Sequence, residues 1–239
     1  LIVKTASSRA ELMEQFRNNQ AQEGNTGKPE ITVVNIQRFA EDRSKVELPA
    51  YATNLQRVFI IDEAHRGYKP EGSFLANLLD ADKNVSGMIL NLGGSSVMVY
   101  GEKPDGSEWK VAVTDPRDVE GEYLGAITLE GGEFLSTSGD YEKYFIEDGK
   151  RYHHILDPKT GYPVWNGLDS VTVVCNSGLL ADGLSTACFV LGMEDAQSLL
   201  EKYNAEAVFV DEDKNVYLTS GMKERFELMK NTYTVQEVK

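Results

Sequence analysis

Between residues 87 and 175 the chain is a succession of short apolar or alternating runs, each closed by Gly, Pro, Asp or Asn. That punctuation constrains the fold more than any other feature. The runs are too short for amphipathic helices, and short turns return a strand beside its predecessor. Runs at 87–92, 96–100, 109–114, 123–129, 134–137, 150–154 and 170–175 read as strands. Turn signals stand at Lys103-Pro104-Asp105-Gly106, Gly131-Gly132 and Asp148-Gly149. The alternation Trp109-Lys110-Val111-Ala112-Val113-Thr114 predicts a half-buried strand, hairpinned across the turn before it. Residues 181–191 then take helical spacing and stop at Gly192. A second helix is predicted at 194–203 and a closing hairpin at 207–210 and 215–219. Residues 222–239 are polar and read as a helical start followed by loose chain. The expected class is α+β, with antiparallel strands and helices packed on one side.

Residues 1–84 have another texture. Strands are predicted at 1–3, 31–36 and 58–61. A helix opens at Ser8, with Glu11 completing a capping box, and another is predicted at 73–79. Strands and helices alternating in this way belong to a parallel-sheet, α/β arrangement. Charge changes at the same place: residues 1–84 carry a net −1 and residues 85–239 a net −13 of the total −14. The chain therefore divides into segments 1–84 and 85–239. The acidic segment excludes nucleic acid as its partner, because phosphate neutralisation needs Lys and Arg. No apolar run is long enough to span a bilayer. Cys175 and Cys188 alone cannot build a disulfide scaffold, and Cys188 reads as a buried small residue. The chain opens on Leu1 without a signal-peptide pattern, which reads as a piece of a longer protein.

In the first segment an apolar strand runs into Asp62-Glu63-Ala64-His65. A carboxylate at such a strand end can hold hydrated magnesium, and its neighbour can orient an attacking water. With Ser8-Arg9-Ala10-Glu11-Leu12 and Ile31-Thr32-Val33-Val34-Asn35-Ile36-Gln37-Arg38-Phe39, this string resembles the motor subunit of type I restriction enzymes, a superfamily 2 helicase. The resemblance implies a partial RecA-like α/β segment over residues 1–83. No GxxxxGK[ST] loop occurs to cradle nucleotide phosphates, so the stretch reads as ancestry rather than as a working motor. The join is placed between Asp82 and Ser86.

Four elements of the second segment carry chemistry, and each has a plainer reading. Gly93 and Gly94 follow a strand and would let backbone approach a ring or phosphate; alone they suit a tight turn. Ser136-Thr137-Ser138-Gly139-Asp140-Tyr141 offers several hydrogen bonds to a polar ligand, or is a hydroxyl-rich turn. His153-His154-Ile155-Leu156-Asp157-Pro158-Lys159-Thr160-Gly161-Tyr162-Pro163 is the most specific string. One of its two histidines could serve as acid, base or phosphate contact; the plainer reading, a surface or packed histidine, suits His153, whose side chain points away from that of His154 on a strand. Asp182 and Thr186 lie at i and i+4 on one helix face, and their oxygens suit magnesium. The plainer readings are a dipole-stabilising carboxylate and a hydroxyl bonding back to a carbonyl.

In this order the four resemble the ApbE family of FAD:protein FMN transferases, from about Val85 to about Tyr203. Lys103-Pro104-Asp105-Gly106, Trp109 and Asp115-Pro116 fit the same pattern. The resemblance implies an ApbE-like fold of antiparallel sheets with packed helices, and covers the C-terminal part of that domain. It implies a magnesium-dependent enzyme that passes FMN from FAD to a Thr or Ser of an acceptor flavoprotein, releasing AMP. His154 would be catalytic. Gly93, Gly94, Thr137, Ser138, Gly139, Tyr141, Asp157, Thr160 and Gly161 would line the FAD site. Asp182 and Thr186, with the Ser185 carbonyl, would hold Mg²⁺. A non-catalytic flavin-binding module and a helicase-motor fragment are the alternatives. The two resemblances disagree on compartment, cell envelope for one and cytoplasm for the other.

Overall fold

The computed structural model describes residues 85–238, apart from 94 and 104, together with three earlier strands. These are β1 (Ile2–Ala6), β2 (Glu30–Val34) and β3 (Arg57–Ile61). The two helices expected in the first segment, the Asp62-Glu63-Ala64-His65 string and Gly94 lie outside the described residues.

The main segment follows as β4 (Val85–Asn91), β5 (Ser96–Gly101), β6 (Trp109–Val113), β7 (Gly125–Leu129), β8 (Phe134–Gly139), β9 (Tyr144–Glu147), β10 (Lys150–His153) and β11 (Leu168–Cys175). Helices α1 (Gly178–Leu191) and α2 (Met193–Lys202) come next. The chain closes with β12 (Glu206–Asp211), β13 (Asn215–Leu218), a 3₁₀ turn at Ser220–Met222, β14 (Phe226–Leu228) and β15 (Thr234–Glu237). One eight-stranded sheet runs β15-β13-β12-β11-β8-β5-β4-β3, and a three-stranded sheet runs β14-β7-β6. The pairs β1–β2 and β9–β10 stand as two-stranded sheets. Among the described residues no helix is long and apolar enough to cross a membrane.

The core has two layers because β11 is central. It is buried at every position after Leu168, on both faces. Val171, Val173 and Cys175 meet Ala181, Leu184, Cys188 and Phe189 of α1. On the other face Val174, with Val208 and Val210 of β12, meets Val111, Ile127 and Leu129 of the small sheet. Phe189, Phe209, Ile127 and Leu129 are at most 1% exposed, each contributing roughly 1.5–3 kcal/mol by burial. Helix α1 is capped at both ends. Ser177 Oγ accepts from the Leu180 N–H at 3.4 Å, and Gly192, at φ 81°, donates its N–H to Cys188 O at 3.0 Å.

Three sequence expectations are corrected, and one strand is added. Strand β6 alternates in burial as expected, but it pairs with β7 and not with β5 across the Lys103–Gly106 turn. Both edges of β5 are taken by β4 and β8, so β6 pairs in the second sheet, whose Trp109 and Val111 pack in one core with Val99 of β5. Strand β9 was not anticipated, because it is exposed throughout and buries no repeating face. Residues after 222 form β14 and β15 rather than a helical start; Phe226 and Tyr233 are buried in the core. The main sheet is mixed rather than antiparallel, since β15 joins β13 and β3 joins β4 in parallel.

Candidate functional site

Strand β8 supplies the hydroxyls, and its two-residue period divides them between two faces. Ser136 and Ser138 face α1. Ser138 Oγ lies 2.8 Å from Ser185 Oγ and 2.9 Å from Thr186 Oγ1. Ser136 Oγ lies 2.9 Å from Ser96 Oγ and 3.4 Å from Asp182 Oδ1. Thr137 points to the opposite face, where its hydroxyl meets that of Thr172 at 2.9 Å. The string read as one polar patch therefore serves two sides of the sheet. Gly139 is buried, and a Cβ there would collide with the ring of Tyr141. That ring is largely buried, which pushes its phenol well above the ordinary range, with Glu142 and Asp140 adding to the shift.

Helix α1 begins at Gly178, so Asp182 stands beyond the first turn, which holds no acidic residue. The dipole reading of Asp182 is weakened accordingly, because that effect falls off within a turn. Asp182 and Thr186 are exposed, while Ser185 between them is completely buried. The stripe Ala181, Leu184, Ser185, Cys188 faces the sheet, so the Ser185 hydroxyl is spent on Asp182 O at 2.9 Å and on Ser138. A cleft of about 350 Å³ reaches Asp182 between Leu92, Ser95, Phe134, Gly178 and Leu179. Among the described residues no three His, Cys, Asp or Glu side chains cluster to hold a metal. One carboxylate and one hydroxyl still fit magnesium, a hard cation that keeps waters and takes ligand phosphates.

The histidine string forms β10 and the loop after it. His153 is 4% exposed and His154 is exposed, as the alternation requires. The His153 Nε2–H donates to Val164 O at 2.9 Å, and the ring meets Phe189 edge-on. Its Nδ1 is buried without a partner, and burial lowers its pKa, so His153 is a neutral packing residue. His154 presents its ring to solvent, with its backbone N–H tied to Lys143 O at 3.1 Å. Asp157, Thr160 and Gly161 bond among themselves. The Asp157 carboxylate accepts from Lys159 N–H at 2.8 Å and Thr160 Oγ1 at 3.2 Å, and Gly161, at φ 72°, donates to Asp157 O. Gly93, at φ 91°, sits in the turn that joins β4 to β5, closed by Leu92 N–H to Ser96 O at 2.8 Å.

Sequence reasoning missed a charge network beside the site. The Arg117 guanidinium donates to both Asp140 oxygens at 3.0–3.2 Å and pairs with Asp169. Arg151 donates to Asp140 Oδ1 at 2.9 Å. Asp115, 3% exposed, accepts from Lys230 Nζ at 2.7 Å and Tyr233 OH at 2.7 Å. Asp140 stood inside the hydroxyl string and Arg117 just after Asp115-Pro116. Partners 23 or 52 residues apart leave no local signal.

The sequence model of the ApbE family matches residues 74–209. A curated relative from Klebsiella pneumoniae, a FAD:protein FMN transferase, is 37% identical over 64% of this chain and 46% of its own length. The crystal structure of an ApbE protein from Thermotoga maritima superposes with a TM-score of 0.53 at 36% identity, over 62% of this chain and 47% of that one. The flavin transferase ApbE from Vibrio cholerae gives 0.51 at 30% identity, over 63% and 48%. The chain thus spans about half the length of these relatives. With its ApbE-like fold and a family match over more than half of its residues, this chain belongs to the ApbE family.

Proposed function

We propose that this chain is the C-terminal part of a magnesium-dependent FAD:protein FMN transferase. The observation that carries the reading is the placement of Asp182 and Thr186, both exposed on α1, above the Ser136 and Ser138 hydroxyls of β8. Relatives that bear the name FAD:protein FMN transferase support it.

Asp182 and Thr186 would hold Mg²⁺, which when bound offsets the charge of the FAD pyrophosphate. Ser138 orients Thr186 through its hydroxyl, and Ser136 lies within reach of Asp182. His154, exposed on a loop braced by Asp157, would take the proton from the acceptor Thr or Ser hydroxyl. The hydroxyl oxygen then bonds to the FMN-side phosphorus, the bond from that phosphorus to the bridging oxygen breaks, and AMP leaves with the electron pair. Positioning supplies most of the rate in such transfers.

FAD titration by flavin fluorescence, with and without millimolar Mg²⁺, tests the site. AMP release and flavin attachment on an acceptor peptide test the reaction. FAD binding without AMP release would select the non-catalytic flavin module, and no Mg²⁺-dependent binding would remove the reading. For residues 1–73, the part of the helicase-like segment outside the ApbE match, the proposal retains the helicase-like ancestry, supported by the Asp62-Glu63-Ala64-His65 string. ATP turnover unchanged by Glu63→Gln is expected.

A further inference from the structure

Arg151 lies on β10, three residues before His154. Its Nη1 donates to Asp140 Oδ1 at 2.9 Å, and its guanidinium stacks 4.3 Å over the Tyr144 ring of β9. Asp140 is itself fixed. It is 7% exposed, holds Arg117 with both oxygens, and donates its N–H to Asp169 O at 3.0 Å. It also follows β8 directly, two residues after Ser138, whose hydroxyl meets Ser185 and Thr186. The Arg151–Asp140 contact therefore joins the strand that leads to His154 to the strand that carries the hydroxyls.

The hairpin needs such a join. Among the described residues strands β9 and β10 pair only with each other, and β9 is exposed along its length. A two-stranded hairpin is marginal by itself, so its pose depends on side-chain tethers to the body. His153 packs against Phe189 and supplies an apolar tether. Lys150 sits over the Trp165 ring, and Arg151 supplies the ion pair, with a planar fork already oriented by Tyr144.

We propose that Arg151, held by Asp140, is a positioning residue that fixes His154 relative to the Ser138–Thr186 hydroxyls. The role assigned to His154 rests on the transferase reading above; the mechanical link does not.

Arg151→Met tests it cleanly, because Asp140 keeps Arg117 and no buried carboxylate is left bare. Arg151→Lys is the conservative rescue. In the transfer assay Arg151→Met is expected to lower kcat by about tenfold to a hundredfold, the cost of a misplaced group, with KM for FAD unchanged. Arg151→Lys should recover part of the loss. A second arm needs no activity. The His154 amide, bonded to Lys143 O, should exchange about threefold faster in Arg151→Met, the factor that an ion pair of this exposure contributes against local opening. Exchange at Val171 and Val173 of β11 should not change, which excludes global destabilisation. An active wild type with unchanged kcat and unchanged His154 exchange in Arg151→Met overturns the proposal. If the wild type releases no AMP, the transferase reading fails, and the exchange arm still decides the link. Faster exchange reversed by Lys supports it, and equal exchange overturns it.

Discussion

The Ser138 hydroxyl of β8 stands 2.9 Å from the Thr186 hydroxyl of α1, across the helix–sheet interface. A helix side chain that would ligate a metal is thus oriented from behind by a strand. Partners of this kind are worth about 10–100-fold in metal affinity or activity. Ser138→Ala is therefore expected to weaken Mg²⁺-dependent FAD binding by that factor, and Asp182→Asn to abolish it. Fluorescence titrations at several Mg²⁺ concentrations check both. Equal affinity in Asp182→Asn and wild type would remove the metal from α1.

The paired histidines should separate under mutation. His154→Ala is expected to leave FAD binding intact and to slow transfer by about 10²–10⁴-fold, the range of a positioned general base. His153→Ala should cost about 1–3 kcal/mol of stability, because Val164 O loses its donor and Phe189 loses its edge contact. Urea unfolding beside single-turnover kinetics distinguishes the two. Equal effects of both variants on stability would contradict the assignment.

What the sequence revealed here was local. The alternation of residues 109–113, the opposite directions of the His153 and His154 side chains, and the Gly192 stop of α1 each follow from spacing over a few residues. Pairing was not local. Nothing in the text around Trp109 says that β6 leaves β5 for a second sheet; that choice is made by which apolar face finds a core. The Ser136–Tyr141 string was visible as a hydrogen-bonding stretch, but only strand geometry turns Thr137 away from Ser138. The Arg117–Asp140–Arg151 assembly was invisible, since each ion pair joins different elements.

Both cysteines should be inert in the native protein. Cys175 and Cys188 are free and buried, and burial pushes the Cys188 thiol up to about 11. Little Cys188 thiolate exists at neutral pH, thiolate is the reactive form, and burial keeps reagent from both sulfurs. Native protein is expected to react with Ellman's reagent only as fast as it unfolds, giving two thiols per chain in denaturant. A thiol that reacts within seconds in the native state would contradict this packing.

Asp169 should make stability fall as pH rises. The residue is 1% exposed and its Oδ2 has no partner, so burial raises its pKa to about 7, against the opposing pull of Arg117. Between the ordinary carboxyl value of 3.8 and about 7 the native state holds a proton that the unfolded chain has released. Stability then declines with rising pH across that window and levels off above it. Other carboxylates titrate there too, so the comparison is with Asp169→Asn, which leaves Arg117 paired to Asp140. Moving from pH 5 to pH 8, wild type should lose on the order of 1–4 kcal/mol relative to Asp169→Asn in urea unfolding. A relative gain instead would show that the ion pair with Arg117 outweighs desolvation and holds Asp169 charged in the native state.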